Sequence, residues 1–162
     1  MTDTFMMLLL WFGAIGCGVM AGIYFAFSVF IMKSLSEISP AAGIAAMQSI
    51  NLVIVRSPFI PLFFGTSLAA LASAVIAALD WGAPGNLSLL AAGVIYFAGM
   101  FLCTLFFNIP LNNKLAAVDP GSKQGRQVWA HYLQAWTRWN HARTLASTLA
   151  CGLFILAILE RA

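Results

Sequence analysis

Charged side chains are scarce in this chain: Asp, Glu, Lys and Arg make up only 8% of its 162 residues, while 62% are hydrophobic. A soluble domain carries about 25% charged residues, so the composition excludes an ordinary soluble domain and predicts an integral membrane protein. Four segments approach the length of about 20 apolar residues that a bilayer-spanning helix needs. We therefore predict membrane spans at roughly 5–31, 58–79, 87–111 and 140–159.

Metal-binding patterns are also lacking. The three cysteines, Cys17, Cys103 and Cys151, fall in three different apolar segments without CxxC or CxH spacing. No HExxH motif occurs, and no Asp or Glu lies near the middle of a predicted span. A typical copper, iron or zinc site needs several such ligands, so we predict no metal site and no cofactor. Haem held by His141 alone is the alternative that this leaves open.

Basic side chains are confined to one side of the predicted topology. With four spans, the loop between spans one and two and the loop between spans three and four share a side. That side carries seven of the eight basic residues: Lys33, Arg56, Lys114, Lys123, Arg126, Arg138 and Arg143. By the positive-inside rule this side is cytoplasmic, so we predict both termini outside a bacterial inner membrane. Since topology explains the basic residues, no nucleic-acid surface is predicted.

The segments between the spans complete the predicted architecture. The amphipathic stretch at residues 41–59 predicts a short interfacial helix between helices one and two. The turn formers of DPGSKQG, residues 119–125, predict a turn. Just after this turn, helix four is expected to begin as a cytoplasmic extension and to continue to about Leu159. The fold is therefore predicted as all-α, a four-helix membrane bundle in a single domain, residues 1–162. Small residues line one face of helix one and suit close packing, inside the bundle or in a homo-oligomer: Ala14, Gly18, Gly22 and Ala26.

Polar residues concentrate in the cytoplasmic third of the predicted bundle, and we expect almost none in the opposite half. In FNIPLNNKL, Asn108 and Asn112 are four apart and share one face of helix three. Pro110 has no amide hydrogen and frees the carbonyl near Phe106. Membrane-embedded polar groups are costly and usually face the bundle interior, so this combination predicts a polar notch.

Helix four contributes to the same notch through WTRWNHART, which begins at residue 136. On an α-helix, Trp136, Asn140 and Arg143 lie within about 60° of one another, and His141 lies about 100° to one side of Asn140. The interfacial helix adds Asn51. These residues lie near one membrane level, so we expect any functional site there.

Each of these residues also has a purely structural interpretation. The two tryptophans of the motif can anchor the helix at the membrane interface. Asn108 and Asn112 can join helices by hydrogen bonds. Arg143 can extend its charge to the headgroups, and His141 can be a hydrogen-bonded core residue. Sequence position does not separate these interpretations from a functional one.

Five blocks resemble one known family, in this order: GIYFAFSVFIMKSL, MQSIN, PLFFG, NIPLNNKL and WTRWNHART. Together they are similar to the anthrone oxygenases, small integral membrane proteins with many bacterial relatives of unknown function. The resemblance implies oxidation of an anthrone, a three-ring aromatic ketone, to the anthraquinone with dioxygen, without a recognised cofactor motif. The matching positions are Asn51, Asn108, Pro110, Asn112, Trp136, Trp139, Asn140, His141 and Arg143.

We therefore predict a cofactor-independent oxygenase that acts on a hydrophobic anthrone- or quinol-like substrate, with dioxygen and membrane lipid as its other partners. The first step is removal of a proton, and His141 is the predicted base because histidine titrates nearest neutrality. Asn108, Asn140 and Arg143 are the predicted donors to the developing oxyanion.

Substrate binding is predicted at Asn51, Asn112, Trp136 and Trp139, with the tryptophans stacking on the aromatic rings. Two other functions fit the same residues. One is a non-catalytic membrane protein whose notch binds a lipid, a quinone or a partner protein. The other is a haem- or copper-dependent membrane oxidoreductase.

Overall fold

The computed structural model describes residues 2–161, with side chains from residue 4 onward. Within these residues the regular structure is helical and contains no strand. Five helices follow one another: α1 residues 2–37, α2 Pro40–Ile54, α3 Phe59–Leu79, α4 Asn86–Ala116 and α5 Lys123–Leu159. The predicted all-α fold, with a short helix between the first two long ones, is thereby confirmed.

Four of the helices are long and apolar enough to cross a membrane: Thr4–Glu37 of α1, together with α3, α4 and α5. Their outer faces carry exposed apolar side chains such as Phe25, Leu68 and Leu145. Lipid tails accept such side chains, and a helix satisfies its own backbone hydrogen bonds in the bilayer. The chain is therefore an integral membrane protein built as a helical bundle, in which α2, with 15 residues, is too short to span.

The bundle has two apolar clusters. Helix α1 packs along α5, and α4 packs between α3 and α5. Fully buried side chains of the larger cluster include Leu10, Met20, Tyr96 and Phe154. The second cluster forms where α2 meets α1, α4 and α5, and its buried residues are Met32, Ile44, Met47, Leu115, Trp129, Tyr132 and Trp136. We call this end of the molecule the α2 end.

Two of the glycines that permit close approaches between helices are Gly16 and Gly43. A Cβ atom at Gly16 of α1 would collide with Thr66 of α3, and a Cβ atom at Gly43 of α2 would lie 2.8 Å from Trp129. Glycine is therefore required where α1 meets α3 and where α2 meets α5. The small-residue face noted in the sequence is packed in part: Ala14 is buried in the core and Gly18 faces Cys151, whereas Gly22 has open space around it.

Three segments of the long helices have wide, π-helical turns: Phe27–Ile31 in α1, and Phe97–Leu102 and Thr104–Asn108 in α4. In α4 the amide of Ile109 donates to the carbonyl of Thr104, five residues earlier. Pro110 follows directly and has no amide hydrogen to continue the regular pattern. Wide turns of this kind occur frequently at functional sites. Phe27–Ile31 and Thr104–Asn108 lie in the α2-side halves of their helices, and Phe97–Leu102 lies across the middle of α4.

Helix α5 is one continuous helix of 37 residues. It begins at Lys123, inside the predicted turn rather than just after it, because the Ser122 side chain accepts a hydrogen bond from the Gly125 amide at 2.8 Å and caps the helix. A helix of this length measures about 55 Å, whereas the hydrocarbon core of a bilayer measures about 30 Å. Its first turns therefore extend beyond the hydrocarbon core at the α2 end.

Candidate functional site

Arg143 is buried inside the bundle, with 4% of its surface exposed. Its Nη2 atom donates to Asn140 Oδ1 at 2.7 Å, and its Nη1 atom donates to Thr104 Oγ1 at 3.4 Å. The guanidinium also lies over two aromatic rings, 4.2 Å from the centroid of Tyr24 and 5.0 Å from that of Trp136. Aromatic faces attract a cation, so helices α1, α4 and α5 together hold this charge in a fixed place.

No carboxylate among residues 4–161 lies within ion-pair distance of Arg143, and the ion pair found there joins Lys33 to Glu37 on the surface. The Nε atom of Arg143 has no hydrogen-bond partner in this part of the chain. Transfer of a cation from water into a protein interior costs several kcal/mol unless the charge is compensated. The electrostatics of this position therefore favour an anion.

Asn140 orients Arg143 and is itself held by α1. Its Nδ2 atom donates to the carbonyl of Tyr24 and to Ser28 Oγ, both at 2.7 Å, while its Oδ1 atom accepts from Arg143. The side chain is completely buried. Both amide hydrogens are thus engaged by α1, and Asn140 contributes to the cavity wall through the position it gives to Arg143.

Asn108 joins α4 to α5. Its Nδ2 atom donates to the Trp136 carbonyl at 3.3 Å, and Cys103 Sγ lies 4.0 Å from its Oδ1 atom. The side chain is buried and does not belong to the lining of the neighbouring cavity. The geometry therefore gives Asn108 a part in joining the two helices and does not place it on the wall of that cavity.

A cavity of about 170 Å³ lies beside Arg143, between α1, α2, α3, α4 and α5. Most of its wall is apolar and aromatic, including Phe27, Phe59 and Phe63. Six side chains with polar atoms also line it: Tyr24, Asn51, Thr104, Asn112, Trp136 and Arg143. The cavity therefore combines an apolar volume, suited to an aromatic molecule, with a buried positive charge.

Trp136 and Trp139 occupy different environments. The Trp136 ring is buried on the cavity wall, with the Phe27 ring centroid at 5.6 Å and the Tyr132 ring centroid at 5.8 Å. Trp139 lies outside the cavity, where its ring stacks on Phe107 at 3.7 Å. The structure thus brings Trp136 to the candidate site and leaves Trp139 at the outer surface of the helix pair.

Asn51 of α2 and Asn112 of α4 line the cavity at the α2 end. The Tyr132 hydroxyl donates to Asn112 Oδ1 at 2.8 Å. Helix α2 is fastened nearby, because Gln48 Nε2 donates to the carbonyls of Leu115 and Val118 at 2.8 and 3.0 Å. These bonds fix the position of Asn51 relative to α4.

His141 is exposed on the outer face of α5 and does not line the cavity. None of the residues that line the cavity is a histidine, aspartate or glutamate. In the described residues, no three side chains of His, Cys, Asp and Glu are grouped so that they could hold a metal ion. The base role of His141 stays a prediction from the sequence, and the structure does not bring this imidazole to the other site residues.

Sequence reasoning missed several polar groups. Tyr24 and Thr104 contact Arg143 but lie within long apolar runs, and no linear pattern relates them to an arginine on another helix. The opposite half of the bundle was expected to be almost free of polar groups. That expectation is wrong, because the buried hydroxyl side chains of Ser73 and Tyr96 lie there, and those of Thr66 and Ser67 lie nearer the middle of α3. Thr66 and Ser73 are seven residues apart on α3, a spacing that places both on one face.

Comparison with known proteins gives one match. A family model described as anthrone oxygenase matches residues 58–153, which is more than half of the 162-residue chain. The matched segment covers α3, α4 and most of α5, and so includes Thr104, Asn112, Trp136 and Arg143. Asn51 and Tyr24 lie outside it. No curated protein and no solved structure matches the chain.

Proposed function

The chain belongs to the anthrone oxygenase family, and from this premise we propose that it oxidises a hydrophobic aromatic ketone or phenol with dioxygen inside the membrane. The observation that carries the proposal is the position of Arg143, a buried guanidinium on the wall of an otherwise apolar and aromatic cavity. A neutral aromatic ketone enters such a cavity readily. Its anion, with charge on the carbonyl oxygen, is the species that Arg143 stabilises.

The chemistry follows from that anion. A ring CH₂ group next to aromatic rings and conjugated with a carbonyl loses a proton to give an electron-rich enolate. The enolate passes one electron to dioxygen, the two radicals combine at carbon, and the resulting peroxide takes back a proton. Loss of water then leaves a second carbonyl group. In sum, one CH₂ group and one dioxygen give one carbonyl group and one water.

Three residues at the cavity have a defined role in this proposal. Arg143 holds the enolate oxygen, and Asn140 keeps the guanidinium in place. Trp136 offers a ring face to the substrate. Because His141 lies outside the cavity, the proton is proposed to pass to water, helped by Arg143, which stabilises the anion and so lowers the pKa of the bound substrate.

Oxygen uptake tests the proposal. The protein purified in mild detergent should consume dioxygen when anthrone is added, and Arg143→Met should reduce turnover by about 100-fold or more, as loss of an oxyanion donor does. Arg143→Met removes a buried charge without an ion-pair partner but also leaves Asn140 Oδ1 without its donor, so a loss of stability of about 1–3 kcal/mol is expected. Turnover is therefore compared at a temperature where both proteins are folded. Equal oxygen uptake in the two proteins would contradict the assigned role.

Metal analysis and a visible spectrum of the same sample test cofactor independence, which a stoichiometric metal or a haem band would overturn.

A non-catalytic function is the second candidate, and it follows from the same buried charge. A lipid with an anionic headgroup would also satisfy Arg143, and its chain would fill an apolar volume. Under this alternative, purified protein retains such a lipid and shows no oxygen uptake with anthrone. Oxygen uptake that disappears in Arg143→Met would exclude it.

A further inference from the structure

Two amide side chains stand where the cavity meets a second, more open space. This groove, of about 480 Å³, runs between α2 and α4 at the α2 end of the molecule. It shares four lining residues with the cavity: Asn51, Val55, Ile109 and Asn112. The cavity and the groove are therefore contiguous, with an apolar pair and an amide pair at their junction.

The amide pair has hydrogen-bond donors to spare. Asn51 Nδ2 is buried and makes no hydrogen bond of 3.5 Å or less among residues 4–161. The Tyr132 hydroxyl lies near it, and an amide nitrogen with two hydrogens can also donate to a ligand. Asn112 Oδ1 is occupied as the acceptor of the Tyr132 hydroxyl, which leaves the Asn112 amide nitrogen, with its two hydrogens, as the free end of that side chain. An amide nitrogen donates and does not accept. The matching ligand group is therefore an oxygen that accepts hydrogen bonds.

The distance between the two polar ends of the cavity suits an extended aromatic molecule. The Arg143 guanidinium lies 5.0 Å from the Trp136 ring centroid, and that centroid lies 5.8 Å from the ring centroid of Tyr132, which fixes Asn112. The guanidinium and the Tyr132 ring are therefore at most about 11 Å apart, a distance that a three-ring ketone with a hydrogen bond at each end can span. Trp136 lies between them on α5 and, like Arg143 and Asn112, lines the cavity. One continuous wall thus leads from the cation to the amides.

We infer that Asn51 and Asn112 form a second subsite, which binds an oxygen acceptor at the end of the aromatic substrate remote from the oxygen at Arg143. The inference rests on the proposed function and adds a substrate class to it: fused aromatic ketones with an ether, hydroxyl or carbonyl oxygen on a terminal ring. A site built to donate hydrogen bonds discriminates against a ligand that lacks the acceptor, because its buried donors are then left unpaired.

Two matched probes test this subsite, an anthrone with a methoxy group at C2 and the same anthrone with an ethyl group there. The substituents have similar size, and only the methoxy group contains an acceptor. Binding is measured without oxygen by quenching of tryptophan fluorescence, and each Kd is corrected for the measured partition of that probe into the detergent before the ratio of the two values is taken. The wild-type protein should bind the methoxy probe about tenfold more tightly, as expected for a hydrogen bond in a buried site.

Asn51→Leu should bring that ratio to about one, and Asn113→Leu should leave it unchanged. Asn113 is the matched control, since it is an exposed asparagine next to Asn112 that lines the groove but not the cavity. A wild-type ratio near one, or an unchanged ratio in Asn51→Leu, would overturn the subsite. So would a fall in thermal stability of Asn51→Leu with an unchanged ratio, which is the signature of a structural amide.

Arg143→Met separates this inference from the proposed function. If both are correct, this variant binds both probes more weakly and keeps the preference between them. If Arg143→Met binds both probes as well as wild type does while Asn51→Leu loses the preference, the subsite stands and the proposed role of Arg143 fails. Absence of binding of either probe to the wild-type protein overturns both.

Discussion

Two arginines of the bundle each donate a hydrogen bond to an asparagine, and the surroundings of the two pairs differ. Near the end opposite α2, Arg161 donates to Asn86 Oδ1, and Asn86 Nδ2 donates to the Asp80 carbonyl. Deeper in the bundle, Arg143 donates to Asn140. The first pair closes the turn between α3 and α4 against the last turn of α5. The second pair lies on the wall of an apolar cavity.

The comparison separates polar residues that join the ends of helices from a polar residue that faces a cavity. Beside Asn86, the Ser88 hydroxyl donates to Glu160 Oε2 at 2.7 Å, so carboxylate and donors lie together at that end. Beside Arg143 the neighbours are aromatic rings, amides and hydroxyls. The guanidinium of Arg161 is partly exposed at the end of the bundle, whereas that of Arg143 is buried and faces a cavity. The two charges therefore differ in their exposure and in the space beside them.

The largest effect is expected at Asn140. Asn140→Leu removes the acceptor of Arg143 and both donors to α1. We expect a fall in anthrone-dependent oxygen uptake of about 100-fold, together with lower stability in detergent. Arg143 should then no longer hold the substrate oxygen. Full activity in Asn140→Leu would show that the guanidinium needs no support from α5.

The two tryptophans of WTRWNHART form the next comparison. Trp136→Leu should lower kcat/KM with anthrone by about tenfold, because a ring face at the substrate is lost. Trp139→Leu should leave kcat/KM unchanged, since this ring stacks on Phe107 away from the cavity. Equal losses in the two variants would mean that both rings serve only to anchor α5.

Asn86→Leu tests the structural end of the molecule. This side chain is 2% exposed and is bonded at both its nitrogen and its oxygen. Its loss should destabilise the protein by about 1–3 kcal/mol, as expected when buried partners are left unpaired, and turnover of the folded fraction should not change. The measurement is thermal unfolding in detergent beside oxygen uptake at a temperature where the variant is folded.

The smallest effect is expected at His141. His141→Ala should keep oxygen uptake within about twofold of wild type, as surface substitutions usually do. The reason is that His141 is exposed outside the cavity. A loss of turnover with unchanged stability would restore the sequence-based prediction that this imidazole is the base.

Hydropathy predicted the four long helices because lipid-facing and buried positions are both apolar in a membrane bundle, so long apolar runs leave little choice. The spacing of Trp136, Asn140 and Arg143 also predicted one polar stripe, which lies buried in the structure. The direction in which His141 points was not predictable, because an offset of about 100° from that stripe turns a side chain either to a neighbouring helix or to the outside. That choice depends on where α1 and α4 pack.

Other residues of the candidate site could not be predicted from the sequence for a related reason. Tyr24 contributes a carbonyl to Asn140 and a ring face to Arg143, and both contacts cross more than a hundred residues of sequence. Thr104 faces Arg143 from one of the wide turns of α4, where regular helical spacing does not hold. Contacts of this kind become visible only after the helices are packed.

The central claim is that Arg143 stabilises the anion of the bound substrate. It is tested most directly by the absorption spectrum of anthrone bound to the protein in the absence of oxygen, recorded as a function of pH, because the enolate and the ketone absorb differently. The account predicts that anthrone bound to wild type ionises at lower pH than anthrone in detergent alone, since a nearby cation lowers the pKa of an acid. This shift should disappear in Arg143→Met. Ionisation at the same pH in both proteins would contradict the account.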